Sequence, residues 1–580
     1  QQQLQSDAPA SSGLDARLVP MLERARGYYA ALDAAPEMRS VLLALDGRHV
    51  NAGYGGDPIR NPDSLPTGRN LYGFDPSRVP TQAAYDAGRE ALDKLIAAHR
   101  AKNGQPPSKL AFTLWSVETM RHFGVLEAQA LYALGVRPKW SAGGQVTGVE
   151  LIPREELKRP RIDVVLSATG LYRDHFPNVI RQLADAVVLA SKAEEADNPV
   201  RANTDALAAR LEAAGVERAR AQSFAATRVF SNESGVYGSG INDAILESDT
   251  WEKEDKIAQL YLSRMQYAYG ADMKDWGSKL PQVNLYAENL KGVQGAVLAR
   301  TSNLYGMLTT DDPFQYLGGV SLAVRHLTGK SPELYISNLR EANNPKAETA
   351  AQFLARELRT RQFHPGWIEA LQREGYSGAN EMLDSINNFW GWQVTAPDIV
   401  RADQWQEFAD VYVQDKYRLG LPDWLERANP AASAQMIERM LEAVRKDYWQ
   451  PDAATIRKLA QRYQALAAKY DVRTDNARFS EFVSRATGFG IDTPSQPSPR
   501  PSPQSSAPQP DASTPALAET PPPPPPVQGL KLVQSQTPTA TIVDDLQRAL
   551  AIALLITVAM FGGFAEALRR PLMPLHRAWR

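Results

Sequence analysis

Short apolar and β-branched runs recur through the first two-thirds of the chain, and helical patterns follow several of them. Residues 110–115 (LAFTLW), 162–168 (IDVVLSA), 295–300 (GAVLAR) and 334–337 (LYIS) read as strands. Apolar positions at helical spacing follow at 118–134, 179–191 and 348–360. This alternation predicts an α/β fold of several subdomains with mainly parallel sheets. From about residue 365 the strand signal stops, and stretches such as 431–445 and 453–469 predict a mainly helical part over 365–490. The folded body is expected to span 14–490, without internal repeats.

Beyond the body the pattern changes twice. Residues 491–543 are rich in proline, with six in succession from Pro521 to Pro526. Such a linker cannot bury a core, and it extends at about 3 Å per residue, about 100 Å at most. An uncharged apolar run then covers 549–565, roughly 25 Å as a helix, with Thr557 as its one polar residue. The expectation is one transmembrane helix over 546–567 and a short basic tail over 568–580. Arg569, Arg570, Arg577 and Arg580 follow the run, while Asp544 and Asp545 precede it. The positive-inside bias puts the C-terminus in the cytoplasm and the body outside the inner membrane, in the periplasm. The chain opens QQQLQSD, without Met or an apolar leader, so an export signal is expected upstream of residue 1.

Composition narrows the chemistry. There is no cysteine, which removes disulfides, thiolate nucleophiles and iron–sulfur clusters. Basic and acidic residues number 64 and 66, for a net charge of −2, and no basic stripe suggests a nucleic-acid partner. Gly329-Lys330-Ser331 imitates the end of a phosphate-binding loop, but Val324 stands where that motif needs glycine, so no nucleotide site is expected.

Three segments can carry chemistry. Glu118 and His122 are four apart on an expected helix, with Glu127 about two and a half turns from Glu118. An imidazole with carboxylates can bind a borderline metal or move protons, and ordinary surface pairing is the competing reading. Residues 301–319 (TSNLYGMLTTDDPFQYLGG) follow a strand and hold Tyr305, Asp311, Asp312 and Gln315. Neighbouring carboxylates raise one another's pKa, although Asp-Asp-Pro is also a common helix start. The glycine-rich segment 231–243 (SNESGVYGSGIND) can bring backbone amides to an anion, or can be an ordinary turn.

These stretches resemble the C-terminal half of the cobaltochelatase large subunit family CobN, a family that extends to the large subunits of magnesium chelatase. The matching pieces are LPTGRNLYGFDPSRVPT (65–81), MRHFGVLEAQALYALGVRPKW (120–140) and VTGVELIPREELKRPRIDVVLSATGLYRDHFP (146–177). VYGSGIND (236–243), AYG (268–270), DDPFQYLGG (311–319) and WGWQVTAP (390–397) follow in the family's order. The resemblance implies a chelatase-type α/β fold that inserts a metal into a tetrapyrrole or removes it. Glu118, His122 and Glu127 would serve one face of the macrocycle, with Tyr305, Asp311 and Asp312 opposite. Arg69, Asn70, Tyr72, Tyr237, Gly238, Gly240 and Gln315 would bind the tetrapyrrole. No metal ligand set is assigned.

Three departures from the family pattern shape the functional expectation. The family's HGxxE…PGK segment is absent. Tyr305 stands where cobaltochelatases carry a histidine, in LYGML. The Pro-rich linker and apolar run resemble membrane-anchored, CobN-like haem-uptake proteins of the HmuS type. An extracytoplasmic body is out of reach of cytoplasmic AAA+ partners and their ATP. The resemblance therefore implies ATP-independent demetallation of haem or another porphyrin, with iron as the metal, beside uptake-system proteins. The alternatives are ATP-dependent cobalt insertion into hydrogenobyrinic acid a,c-diamide for cobalamin biosynthesis, with AAA+ chelatase subunits, and a non-catalytic tetrapyrrole carrier beside a transporter.

Overall fold

Strands and helices alternate because the apolar runs are too short for helices and several are followed by a helical segment. A computed structural model describes residues 18–488, except residues 35, 54–63, 72–73 and 342–343. Its central sheet contains β1 (Lys109–Leu114), β2 (Asp163–Ala168), β3 (Val229–Ser231), β4 (Tyr267–Ala268), β5 (Gly295–Arg300), β6 (Glu333–Asn338) and β7 (Lys346–Thr349). The spatial order is β7-β6-β5-β1-β2-β3-β4. The five inner strands are parallel, and β7 and β4 close the two edges antiparallel.

Every residue of β1, β2 and β5 is buried, as expected of parallel strands covered on both faces. Successive side chains enter opposite layers: Ala111, Val165, Ala296 and Leu298 join one core, and Leu110, Phe112, Val164 and Val297 the other. The first core continues into the helical part after residue 365, where Trp390, Trp392 and Trp405 are fully buried. Among the described residues no strand follows β7.

Six helices frame the strand ends: α1 (Ser116–His122), α2 (Val125–Ala133), α3 (Gly170–His175), α4 (Gly319–Thr328), α5 (Ala350–Thr360) and α6 (Tyr376–Thr395). The single helix expected over 118–134 is two. Phe123 and Gly124 turn into the left-handed region (φ 53 and 92) between α1 and α2. A Cβ on Gly124 would lie 2.7 Å from the Pro80 Cα, so the break needs glycine. Gly329-Lys330-Ser331 caps the end of α4, with Gly329 at φ 75, and forms no strand-to-helix loop.

No described helix is long and apolar enough to cross a membrane. The expected Pro-rich linker, transmembrane helix and basic tail lie outside the described residues.

Candidate active site

From β1 the chain steps outward through β2, β3 and β4, then returns to the other side of β1 as β5 and continues to β6. The order reverses between β1 and β5, and open α/β sheets bind ligands in the crevice at the C-terminal ends of such strands. Two of the three segments singled out in the sequence emerge there. Trp115 and α1 leave β1, and residues 301–312 leave β5.

Buried charge fills this crevice. Arg300, the last residue of β5, is 1% exposed and lies 3.7 Å from the Glu118 carboxylate, itself 3% exposed. The guanidinium sits over the Trp115 ring at 4.6 Å. Arg121 approaches the same Glu118 oxygen at 3.6 Å. Glu118 Oε2, Arg300 Nε, Trp115 Nε1 and Thr301 Oγ1 are all buried without a hydrogen-bond partner among the described residues. Native interiors rarely leave such groups together, and a polar ligand is one way to satisfy them. Burial lowers the Arg300 pKa, while Glu118, Glu357 and Asp312 oppose the shift.

Asp311 and Asp312 open the helical stretch that leads through a π turn (Phe314–Gly318) into α4. Burial, reinforced by Asp311, pushes the Asp312 carboxyl up to about 6, against the pull of Arg300. Burial also raises Asp311, opposed by a 2.7 Å hydrogen bond from Gln315 Nε2.

The preceding loop is held from behind. The buried Glu357 carboxylate of α5 accepts the Met307 and Leu308 amides at 2.6 and 3.2 Å. On α6, Trp392 donates to the Met307 carbonyl (3.0 Å) and Asn388 to the Leu308 carbonyl (2.9 Å). The WGW motif is thus an anchor for the loop that delivers the aspartates.

The glycine-rich segment forms a neighbouring wall. Gln315 Oε1 accepts the Ser239 amide (3.2 Å) and hydroxyl (2.9 Å), tying that segment to Asp311 through one side chain. Arg173 donates to the Asn232 and Glu233 carbonyls at 3.0 and 2.7 Å and holds Asp174, which accepts the Tyr237 hydroxyl at 2.7 Å. His175 Nδ1 and Ser116 Oγ share a 2.7 Å hydrogen bond between the ends of β2 and β1.

The structure brings Glu118, Asp311, Asp312, Gln315 and the Tyr237–Gly240 wall to the strand ends, and it gives His122 and Glu127 partners within the α1–α2 turn. His122 Nδ1 accepts the Gly124 and Val125 amides at 3.1 and 3.0 Å, so this nitrogen holds the α1–α2 break. Glu127 is fully buried in α2 and accepts the Thr119 hydroxyl at 2.6 Å, and burial raises its pKa. The break brings the Glu127 carboxylate to 3.9 Å from the His122 ring, a pairing the single-helix reading did not contain. Among the described residues no group of three or more acids and histidines is arranged to hold a metal.

Tyr305 lies in the loop, 43% exposed, with Arg121 over its ring at 4.4 Å. Gly238 and Gly240 have φ of 78 and 76, so both occupy left-handed turn positions. Arg69 donates to the Leu65 carbonyl (3.2 Å) beside the short parallel pair of Ala52–Gly53 with Asn70–Leu71, and Asn70 belongs to that pair. Tyr72 lies outside the described residues.

Sequence reasoning missed Arg300, Arg121, Glu357, Asp174 and His175. Two had readable signals. Arg300 is the one charge closing an apolar strand, and Glu357 falls on the buried face of its helix with Phe353, Leu354 and Leu358.

An open, mostly parallel sheet with buried acids at its switch point is an α/β fold of the kind whose ligands collect at the strand ends. Residues 1–456 match the model of the CobN/magnesium chelatase family, and the chain belongs to this family. It is 34% identical over 426 residues to the aerobic cobaltochelatase subunit CobN of a Sinorhizobium species, covering 73% of this chain and 33% of that protein. A magnesium-chelatase subunit of Cereibacter sphaeroides is 34% identical over 425 residues, covering 72% and 34%. The solved catalytic subunit of cobaltochelatase from Mycobacterium tuberculosis superposes with a TM-score of 0.68 at 33% identity, over 75% of this chain and 36% of that one. The chain thus spans about a third of the length of these relatives.

Proposed function

We propose that this chain acts within a tetrapyrrole chelatase large subunit, with the β1–β5 crevice as the place where metal and pyrrole protons exchange. Insertion replaces two pyrrole N–H protons by one divalent metal, so the site must take up two protons. Removal returns them as the metal leaves. The observation that carries the reading is the Asp311–Asp312 pair beside Arg300, with Asp312 titrating at about 6. A base of that pKa accepts pyrrole protons at neutral pH and can return them. Glu118, 3.7 Å from Arg300, supplies a further carboxylate. The names of the relatives supply the metal class: cobalt or magnesium as substrate.

Titrating the full chain with deuteroporphyrin and with hydrogenobyrinic acid a,c-diamide should give saturable absorbance shifts. Cobalt or magnesium should then be inserted over several turnovers, with AAA+ partner subunits and ATP as a second arm. Binding without turnover in either arm would make the protein a carrier, and absence of binding to both compounds would sink the reading.

A second reading is favoured by residues 549–565 and the arginines that follow them. A single membrane span would hold the body in the periplasm, beyond ATP, and favour release of iron from haem beside uptake-system proteins. Reporter fusions after Arg580 and within residues 491–543 test it. A reporter active in the cytoplasm from the linker position contradicts it.

A further inference from the structure

A cavity of about 270 Å³ lies beside the crevice, at the C-terminal end of β6. Arg340, Lys346 and Arg356 line it together with Glu341, Asn303, Asn338 and Asn344. Asn338, on its wall, is the register partner of Arg300 across β5 and β6. Asn303 belongs to the loop that carries Tyr305 two residues on.

The three cations are not equivalent. Lys346 pairs with Glu341 at 3.2 Å, and Arg356 pairs with Glu348. Arg340 has no carboxylate within 4 Å among the described residues. Its Nε and Nη1 instead donate to the neutral amide oxygens of Asn338 (2.9 Å) and Asn303 (3.1 Å). The Phe353 ring supports the guanidinium at 4.8 Å. Burial, and then the Arg356 charge, lower the Arg340 pKa, while Glu348 and Glu357 oppose the shift. Two amides and a ring fix a planar donor fork that is matched to a carboxylate.

We infer that this cavity receives a peripheral carboxylate arm of the tetrapyrrole, with Arg340 as the residue that binds it. The inference rests on the chelatase reading and adds a specificity determinant to it. The cavity is small for a macrocycle, because pockets for drug-sized ligands start at about 300 Å³. A carboxylate on a short alkyl chain fits. Anchoring an arm here would orient the ring beside Arg300 and the Asp311–Asp312 pair.

The test compares deuteroporphyrin with its dimethyl ester, titrated by absorbance against the full chain. The wild type should bind the diacid about tenfold more tightly than the diester, the scale expected for one lost charged hydrogen-bond pair. Arg340→Ala should weaken diacid binding by that factor and leave the diester unchanged. Asn303→Asp supplies a carboxylate to Arg340 without truncating it and should reproduce the loss, which separates anion binding from a folding defect. Equal weakening of both ligands, or full diacid affinity in both variants, overturns the inference alone. Failure of the wild type to bind either porphyrin overturns the chelatase reading, and this inference with it.

Discussion

Asp312 is acidic chemistry held at a cost to stability. Its folded pKa of about 6 lies above the value near 3.9 of an unfolded aspartate, so the native state binds the proton more tightly. Its stabilising contribution is complete below about pH 4 and is lost as the pH rises through 6. Asp312→Asn should therefore raise the unfolding free energy at pH 7.5, by on the order of 1–2 kcal/mol after allowance for partial exposure, with no gain at pH 4. Urea titrations at the two pH values check this, and equal effects at both would remove the assigned pKa. At Tyr305 the ring, stacked on Arg121, is the engaged part. Tyr305→Phe should leave turnover within about twofold, whereas Tyr305→Ala should lose the roughly 0.5–1 kcal/mol of such a contact and loosen Arg121. A hundredfold fall in the Phe variant would instead make the hydroxyl an acid–base group. The aspartate pair was legible because two adjacent acids follow a strand. The commitment of His122 Nδ1 to backbone amides was not, because it depends on a turn two residues away.

At the scale of elements, the strand runs were readable because burial on both faces makes them continuously apolar, and β5 coincides with its expected bounds. The short edge strands β4 and β7 carry no such signal, since they are held mainly by ladder bonds to their neighbours. The α1–α2 break was hidden because residues 118–134 keep a helical period across Phe123–Gly124 while the backbone reverses sign. The π turn after Asp312 has no sequence signature, and such turns concentrate at functional sites. It depends on close approach: a Cβ on Gly391 would lie 2.6 Å from the Phe314 ring. Gly391→Ala should cost about 1–3 kcal/mol by overpacking and displace the Asp311–Asp312 turn, lowering metal transfer more than porphyrin affinity. Unchanged stability and turnover would show that the turn does not depend on this contact.

Across the whole molecule, family membership was legible because motifs from residue 65 to residue 397 occur in the family's order, and the family's model matches residues 1–456. Arg69 and Asn70 show the limit of motif reasoning: Asn70 pairs with Ala52 in a separate short strand pair, and Arg69 donates to the Leu65 carbonyl. The central claim is that Asp312 handles pyrrole protons in the β1–β5 crevice. The most direct measurement is the rate of metal transfer between pH 5 and 8, in the wild type and in Asp312→Asn. Insertion should rise, or removal fall, through an inflection near pH 6 in the wild type, and that inflection should vanish in the variant with the rate lowered by about 10²-fold. The same inflection and rate in Asp312→Asn would contradict the assignment.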